Sequence, residues 1–185
     1  MLLTVIALVL FILIILMIIW TIKSYNYFIT LEERVSNGKA QIATQIESRW
    51  DVVKSLIGAT KKYSQHEAET LESVIEKRIS VDKDSPIDEI QKDDTQLNNV
   101  IGRLIAISEN YPELKASEVY QSTMESIDTY ESNVRGARMI YNDVVTKFNR
   151  QVKVFPSNMV AKMFNFTEKE YFHGTESKQE MPSWD

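Results

Sequence analysis

The sequence predicts an all-α protein in which an N-terminal single transmembrane helix continues into an antiparallel bundle of about four helices, two long and two short. Three observations support this class. Residues 1–22 contain no charged side chain, and about 20 apolar residues in a helix span a bilayer core. Beyond them, apolar residues recur at steps of three and four, as on one face of a helix. The alternating pattern of a strand is absent from the sequence.

The first element is a transmembrane anchor over residues 1–24. No Lys or Arg precedes the apolar run and no small-residue cleavage site follows it, so an uncleaved anchor is favoured over a secretory signal. Basic residues follow the run at Lys23, Arg34 and Lys39. The positive-inside rule then predicts a single-pass protein of the cell membrane, with a cytoplasmic domain and the amino terminus outside.

The helical bundle is predicted over residues 25–153, and its two long helices have the clearest periodicity. The first runs from Tyr25 to Ser64 without a Pro, and the last runs from Glu118 to about Lys153, with Ser117 as its N-cap. Near-heptad spacing of this kind is typical of packed bundle helices. The apolar positions include Phe28, Leu31, Val35, Ile42, Val52 and Leu56 on the first helix and Tyr120, Met124, Ile127, Val134, Tyr141, Val145 and Phe148 on the last.

Two shorter helices are predicted between the long ones. One is centred near Leu71, and the other runs from Leu97 to Tyr111, where Pro112 ends it. The segment between them, residues 82–94, is acidic, contains Ser85-Pro86 and has little apolar content. We therefore predict a loop there.

Residues 154–174 are predicted to form an aromatic tail near the membrane. Short connections favour antiparallel neighbours, so the last long helix should return toward the start of the first, beside the bilayer. Pro156 breaks that helix and Ser157 is placed to cap a short new one. Aromatic side chains favour membrane interfaces. The residues expected at the interface are Phe155, Met159, Met163, Phe164 and Phe166. Packing of this stripe on the bundle is the alternative, because Glu168 and Glu170 weaken attraction to anionic lipid. The polar segment 175–185 is predicted to be disordered.

Five charged residues fall on the apolar faces of the predicted helices. They are Arg49, Glu67, Arg78, Glu131 and Arg138. A buried unpaired charge costs several kcal/mol, so we expect these side chains to pair with one another or to reach water. The favoured interpretation is a structural polar network that fixes helix register. A polar pocket inside the bundle and a partly solvent-exposed seam are the alternatives.

The composition argues against several classes of site. The chain has no Cys, which excludes disulfides and thiolate metal sites. It has two His, and they lack the Glu-x-x-His spacing of a di-metal bundle. A net charge of −5 with mixed signs argues against a nucleic-acid surface. We predict no metal, no cofactor and no catalytic residue. His66 is expected to support a turn, and Trp50 to pack in the bundle.

Short motifs in a fixed order resemble the LemA family over nearly the whole chain. Each motif is weak alone, and their ordered occurrence at matching spacing is specific. Gly38-Lys39-Ala40, Ser55 and Gly136 depart from the family pattern. The matching motifs are Tyr25-Asn26, Leu31 with Arg34-Val35, Gln41-Ile42, Arg49 with Asp51 and Leu56, Lys62-Tyr63, His66-Glu67, Thr70-Leu71-Glu72, Arg78, Tyr111-Pro112, Leu114-Lys115-Ala116, Glu131, Arg138, Tyr141-Asn142, Phe148-Asn149, Phe155-Pro156, Asn158, Phe164, Phe166 and Tyr171-Phe172.

The resemblance implies an antiparallel helical bundle tethered to a membrane, without implying an activity. The family has no agreed biochemical function or catalytic residues. Some relatives are associated with magnetosome membrane formation, and some members occur near genes for membrane metalloproteases. These associations are analogies between proteins that share a fold.

The sequence therefore favours a non-enzymatic structural or interaction module at the membrane. Its expected partners are the lipid bilayer and a protein that the sequence does not identify. One alternative is a sensor or enzyme that uses a polar pocket between helices. Another is an accessory partner of a membrane protease or of a membrane-shaping system.

Overall fold

The computed structural model describes residues 1–78 and 80–173, and helices are the regular structure throughout that part of the chain. The helices are α1 (Leu2–Thr60), α2 (Gln65–Glu76), α3 (Ile87–Asn110), α4 (Pro112–Lys115), α5 (Glu118–Lys153) and α6 (Ser157–Met163). The prediction of an all-α fold with a long apolar amino-terminal helix is confirmed. The prediction of disorder for 175–185 lies outside the described residues.

The amino-terminal part of α1 is apolar and fully unpacked. An 18-residue window in it has a mean hydropathy of 3.6, and none of that window is buried within the protein. From Leu2 to Ile22 a helix rises about 31 Å, close to the thickness of a bilayer core. This part of α1 is therefore long and apolar enough to cross a membrane.

Local side-chain chemistry explains several helix ends. Ser64 accepts a hydrogen bond from the Glu67 backbone N–H at 3.4 Å and caps α2. Ser117 accepts one from the Tyr120 N–H at 3.3 Å, which confirms the predicted cap of α5. The predicted cap at Ser157 is wrong, because its hydroxyl donates backward to the Gln151 and Val154 carbonyls at 2.8 and 2.9 Å. Pro156, which has no side-chain donor or acceptor, occupies the N-cap position instead.

The predicted loop over residues 82–94 is half wrong. Helix α3 starts at Ile87, directly after Pro86, and Asp88 and Glu89 occupy its first turn. Carboxylates are favoured there because the helix dipole is positive at that end. The acidic residues of this segment therefore belong in part to the first turn of a helix, whereas the sequence alone suggests that they form a loop.

The chain forms two compact units, and the first comprises Met1–Val35 with Asn142–Glu170. An aromatic cluster holds this unit together. The rings of Phe28 and Phe166 stack at 4.6 Å, and Phe148 meets Phe28 edge-on at 5.8 Å. Tyr25 adds contacts to Phe164 at 4.7 Å and Phe166 at 5.8 Å. Aromatic pairs of this geometry add about 0.5–1.5 kcal/mol each beyond their burial.

Polar contacts fix the tail after α6 within the same unit. The Asn149 side chain donates to the Lys169 carbonyl at 2.9 Å and accepts from the Lys169 N–H at 2.8 Å. The Lys169 ammonium lies 2.5 Å from Glu32 of α1. Asn165 ends α6 in the left-handed region at φ 58°, and the Phe166 N–H bonds back to the Ala161 carbonyl at 2.9 Å. Asn tolerates this conformation better than other non-glycine residues.

The second unit comprises Ser36–Tyr141 with Tyr171, Phe172 and His173 of the described tail. Helices α1 and α5 run antiparallel in this unit, since rising residue numbers on α1 meet falling residue numbers on α5. Gly38 of α1 lies against Tyr141 of α5, and Arg49 lies against Glu131. The core contains the largest fully buried side chains of this unit, including Trp50, Ile42, Ile46, Leu56, Ile57, Leu71, Ile90, Leu97 and Leu104.

Gly38 allows the close approach of α1 and α5 in this unit. A Cβ at that position would lie 3.3 Å from the Tyr141 Cα and 3.4 Å from its Cβ. Both are atoms on or next to the backbone, so a side chain would push the helices apart. By contrast, a Cβ at Gly136 meets nothing within 4 Å.

The two glycines should therefore respond differently to replacement by alanine. Gly136→Ala should stabilise the protein by about 0.5–1 kcal/mol, the difference in helix propensity. Gly38→Ala should gain less or lose stability, because the crowding at Tyr141 opposes the same propensity gain, and Gly38→Leu should cost about 1–3 kcal/mol. Urea unfolding of the full chain in detergent, followed by circular dichroism, measures the differences. Equal stabilisation by alanine at both sites would contradict the close approach.

Candidate functional site

The charged interior of the second unit is organised by two neighbouring carboxylates on α3. Asp93 is 4% exposed and Asp94 is 1% exposed. Successive residues on a helix point about 100° apart, since a turn holds 3.6 residues. The two carboxylates therefore face different neighbours, and each collects its own arginine partners.

The Asp94 cluster, defined as Asp94 with Arg49, Arg138 and Glu131, links α1, α3 and α5. Arg49 lies 3.4 Å from one Asp94 oxygen, and Arg138 forms an ion pair with the other oxygen. Arg49 also lies 2.7 Å from Glu131, as an ion pair without hydrogen-bond geometry. The Asn98 amide oxygen accepts a hydrogen bond from Arg49 at 3.0 Å. Two arginines and two carboxylates thus balance in charge.

The Asp93 cluster, defined as Asp93 with Arg78, Glu47 and Trp50, lies on the other side of α3. Arg78 donates to both Asp93 oxygens, at 2.8 and 2.9 Å, in the fork geometry that arginine favours. It also reaches Glu47 at 2.6 Å. The Trp50 indole N–H donates to Asp93 at 3.0 Å, and the Arg78 guanidinium lies 4.8 Å from the Trp50 ring.

Burial shifts the pKa values of the Asp94 cluster against the charged forms. Desolvation raises the pKa of the Asp94 carboxyl despite the opposing effects of Arg138 and Arg49. Desolvation also lowers the pKa of the Arg49 guanidinium against Glu131 and Asp94. Burial acts to lower the pKa of Arg78 as well, but hydrogen bonds to Asp93 and Glu47 outweigh it and raise that pKa. The Asp93 cluster therefore offsets the desolvation of Arg78 more fully than the Asp94 cluster offsets that of Arg49.

The structure brings four of the five predicted network residues into these clusters. Arg49, Glu131 and Arg138 meet at Asp94, and Arg78 meets Asp93. Glu67 is half-buried on α2 and forms no ion pair with any residue in the described ranges. His66 is exposed beside it at the start of α2. The assignment of a structural role to the five residues stays a prediction.

Sequence reasoning missed the carboxylates at the centre of both clusters. Asp93 and Asp94 lie in the segment predicted as a loop, and Glu47 lies beside the predicted seam. A signal was present, because Ile87, Ile90, Asp94 and Leu97 follow one another at steps of three and four. That spacing places Asp94 on the apolar face of α3.

Two surface depressions reach the Asp93 cluster. One of about 410 Å³ touches the partly exposed Glu47, and one of about 120 Å³ reaches Asp93 and is lined by Lys77, Val81, Glu89, Lys92 and Gln96. Small-molecule sites are usually about 300–1,000 Å³, so the depression at Asp93 itself is below that range. A larger open groove of about 430 Å³ is lined mainly by hydroxyl side chains of α1 and α5 and not by cluster residues. Within residues 1–78 and 80–173, no group of three His, Asp or Glu side chains is arranged to hold a metal.

The predicted interface residues divide into two groups in the first unit. Phe155, Met159 and Met163 are exposed by 74%, 54% and 69%. Phe164, which is 42% exposed, and the half-buried Phe166 instead contact Tyr25, and Phe166 also stacks on Phe28. The tail therefore has an outward apolar group and a group of aromatic rings in contact with α1.

A family model described as the LemA family matches residues 38–185. The chain belongs to the LemA family. This assignment confirms the resemblance drawn from the ordered motifs. Arg49, Arg78, Asp93, Asp94, Glu131 and Arg138 all lie within the matched range.

Curated relatives share the family assignment at low identity. The chain is 27% identical over 150 residues to Protein LemA of Metamycoplasma hominis, covering 78% of this chain and 67% of that protein. It is 24% identical over 187 residues to Magnetosome protein MamQ 2 of Paramagnetospirillum magneticum, covering 87% and 66%. It is 24% identical over 175 residues to Magnetosome protein MamQ of Magnetospirillum gryphiswaldense, covering 80% and 64%. The chain spans about two thirds of the length of these relatives.

Arg138→Ala should lower the free energy of unfolding of this LemA family protein by about 3 kcal/mol. Removing one partner of a buried pair has this effect, because Asp94 stays buried with one guanidinium fewer. Denaturant unfolding measures the change. Arg135→Ala, at an exposed position on the same helix, is the matched control and should leave the midpoint unchanged. A loss under about 1 kcal/mol for Arg138→Ala is the value for an exposed pair and would contradict the buried cluster.

Arg78→Lys should destabilise the protein even though it keeps the charge. A lysine ammonium cannot donate to both Asp93 oxygens in a planar fork while also reaching Glu47. We expect a loss of about 1.5–3 kcal/mol, the range for hydrogen bonds to charged groups. Thermal melting of the variant measures it, and Lys77→Arg at the exposed neighbouring position is the control. An unchanged melt for Arg78→Lys would show that charge alone suffices there.

Proposed function

We propose that the chain is a membrane-anchored helical interaction module and not an enzyme. The single observation that carries this proposal is the burial of the charged interior. The Arg49 and Asp94 side chains are 3% and 2% exposed and bind each other and neighbouring helices. A catalytic or ligand-binding role would require charged groups that reach substrate, and these groups are occupied by contacts within the protein.

The surface of the second unit supports an interaction role. It exposes the large apolar side chains of Ile105, Val119, Met139 and Ile140, by 40%, 48%, 69% and 56%. Met139 and Ile140 are neighbours on α5. Exposed apolar groups beside polar helix surface are typical of protein-binding sites. The partner that we propose is therefore a protein that packs against α5.

The membrane setting supports the same function. The amino-terminal helix is long and apolar enough to span a bilayer, and two relatives are named as magnetosome proteins. By analogy, we propose that the chain works within an assembly at the cell membrane, with its domain on the cytoplasmic side. Lys23, Arg34 and Lys39 support that orientation through the positive-inside rule.

Site-specific photo-cross-linking of the full chain in its native membrane tests this proposal. A photoreactive residue at Ile140 should give a discrete protein adduct. The same residue at Arg135, also exposed on α5, is the matched control and should give a weaker adduct or none. Equal background labelling at both sites would contradict a protein-binding surface at Ile140.

A further inference from the structure

We propose that Phe155, Met159 and Met163, here named the interfacial patch, make a second contact with the bilayer beside the anchor helix. The patch is the outward apolar surface of α6 and of the turn that precedes it. This inference rests on the membrane anchoring in the proposed function. It adds a lipid-binding site to the folded part of the chain.

Helix α6 has two apolar faces, and packing uses one of them. Ser157, Val160 and Ala161 are 7%, 2% and 0% exposed and face the interior of the first unit. Met159 and Met163, four residues apart, share the opposite face and stay 54% and 69% exposed. The outward methionines therefore do not contribute to holding α6 in place.

The position of α6 relative to the end of the membrane span is fixed by ring contacts. The last apolar residue of the span, Ile22, lies three residues before Tyr25, which is about 4.5 Å along the helix. The Phe164 ring at the end of α6 lies 4.7 Å from the Tyr25 ring. The polar interface on each side of a bilayer core is about 5–8 Å thick. A span that fills the core therefore places the end of α6 in that layer.

Polar contacts make this position rigid. Asn149 binds both backbone groups of Lys169, and the Lys169 ammonium binds Glu32 of α1. Phe166 stacks on Phe28 between them. The segment after α6 is thus bound to the same stretch of α1 that emerges from the span. The interfacial patch cannot move away from the bilayer without breaking these contacts.

The charges around the patch suit a headgroup layer. Residues 142–170 carry five basic and three acidic side chains in a chain whose net charge is −5. Glu168 lies 2.6 Å from Lys153, so its charge is compensated. Lys162 lies on α6 between the two outward methionines in sequence, where its ammonium can reach lipid phosphates while the methionines enter the acyl boundary.

Because the interfacial patch lies next to the apolar membrane span, lipid is favoured as the group that covers it. The exposed surface of α1 up to Ile22 is apolar on every side and needs a hydrocarbon environment. The patch lies next to the end of that surface in the same compact unit. A second copy of the chain or another protein would have to reach the patch through the headgroup layer.

Depth-dependent fluorescence quenching tests the proposal with the full chain. Because the sequence has no Cys, a single cysteine can be labelled with bimane at Met163 without removing others. The protein is reconstituted in vesicles of phosphatidylcholine and phosphatidylglycerol, with or without lipids brominated along the acyl chain. The label at Met163→Cys should lose most of its fluorescence to the brominated lipid and should emit further to the blue.

Two further labels serve as controls. Met139→Cys replaces a methionine with the same exposure, 69%, in the second unit, and it should remain unquenched. Ile12→Cys lies in the middle of the apolar span and should be quenched in every preparation that contains brominated lipid. Loss of quenching at residue 12 would overturn the anchor and with it the proposed function. Quenching at 12 but not at 163 would overturn the second contact alone.

A variant separates lipid contact from protein contact. Met159→Glu adds a charge to the outward face and leaves the buried face of α6 intact, so the label at residue 163 should lie at a shallower depth and lose part of its quenching without a change in the helical circular dichroism spectrum. A blue-shifted label at 163 that brominated lipid does not quench would indicate a protein occupant and would overturn the proposal. Quenching at 163 that is unchanged in Met159→Glu would also overturn it.

Discussion

The carboxylate of Asp94 is the constraint on which the second unit depends. It lies in the interior and binds Arg49 of α1 and Arg138 of α5, so one side chain connects three helices. Replacing such a group by well-packed apolar residues is often neutral or stabilising, so net stability is not a sufficient reason for it. What an apolar side chain cannot supply is a fixed position along the helix axis. A slip of one turn moves a residue by about 5.4 Å and would separate both arginines from their partner.

The neighbouring carboxylate, Asp93, constrains the position of α3 in the same way, but against a different set of partners. Its two oxygens accept the Arg78 fork, and one of them also accepts the Trp50 N–H. Arg78 lies just beyond the end of α2, so the fork ties the exit of that helix to α3. Adjacent aspartates on one helix thereby fix three other elements with two side chains. The pair also explains why three arginines are tolerated in the interior of a small unit.

Much of this architecture is readable from the sequence, but the partners in the clusters are not. The anchor follows from residues 1–22 alone, and the positions of Arg49, Arg78 and Arg138 on apolar faces follow from periodicity. The error arose at Asp93 and Asp94, because acidic composition near Pro86 resembles a loop. Continuing the three-and-four spacing back from Leu97 through Asp94 to Ile90 would have extended α3. Which arginine meets which aspartate depends on helix packing and has no local signal.

The buried charges also support the interaction role that we propose for this LemA family protein. Catalytic groups must change protonation or contact substrate, and both require access that Asp94 and Arg49 lack. We expect the charged interior to hold the helices of the second unit in one register, which would make their outer surfaces rigid. A rigid surface loses little conformational entropy when it binds, which favours affinity. In the second unit, the exposed apolar residues Met139 and Ile140 of α5 lie on such a surface, which supports the protein contact proposed for them.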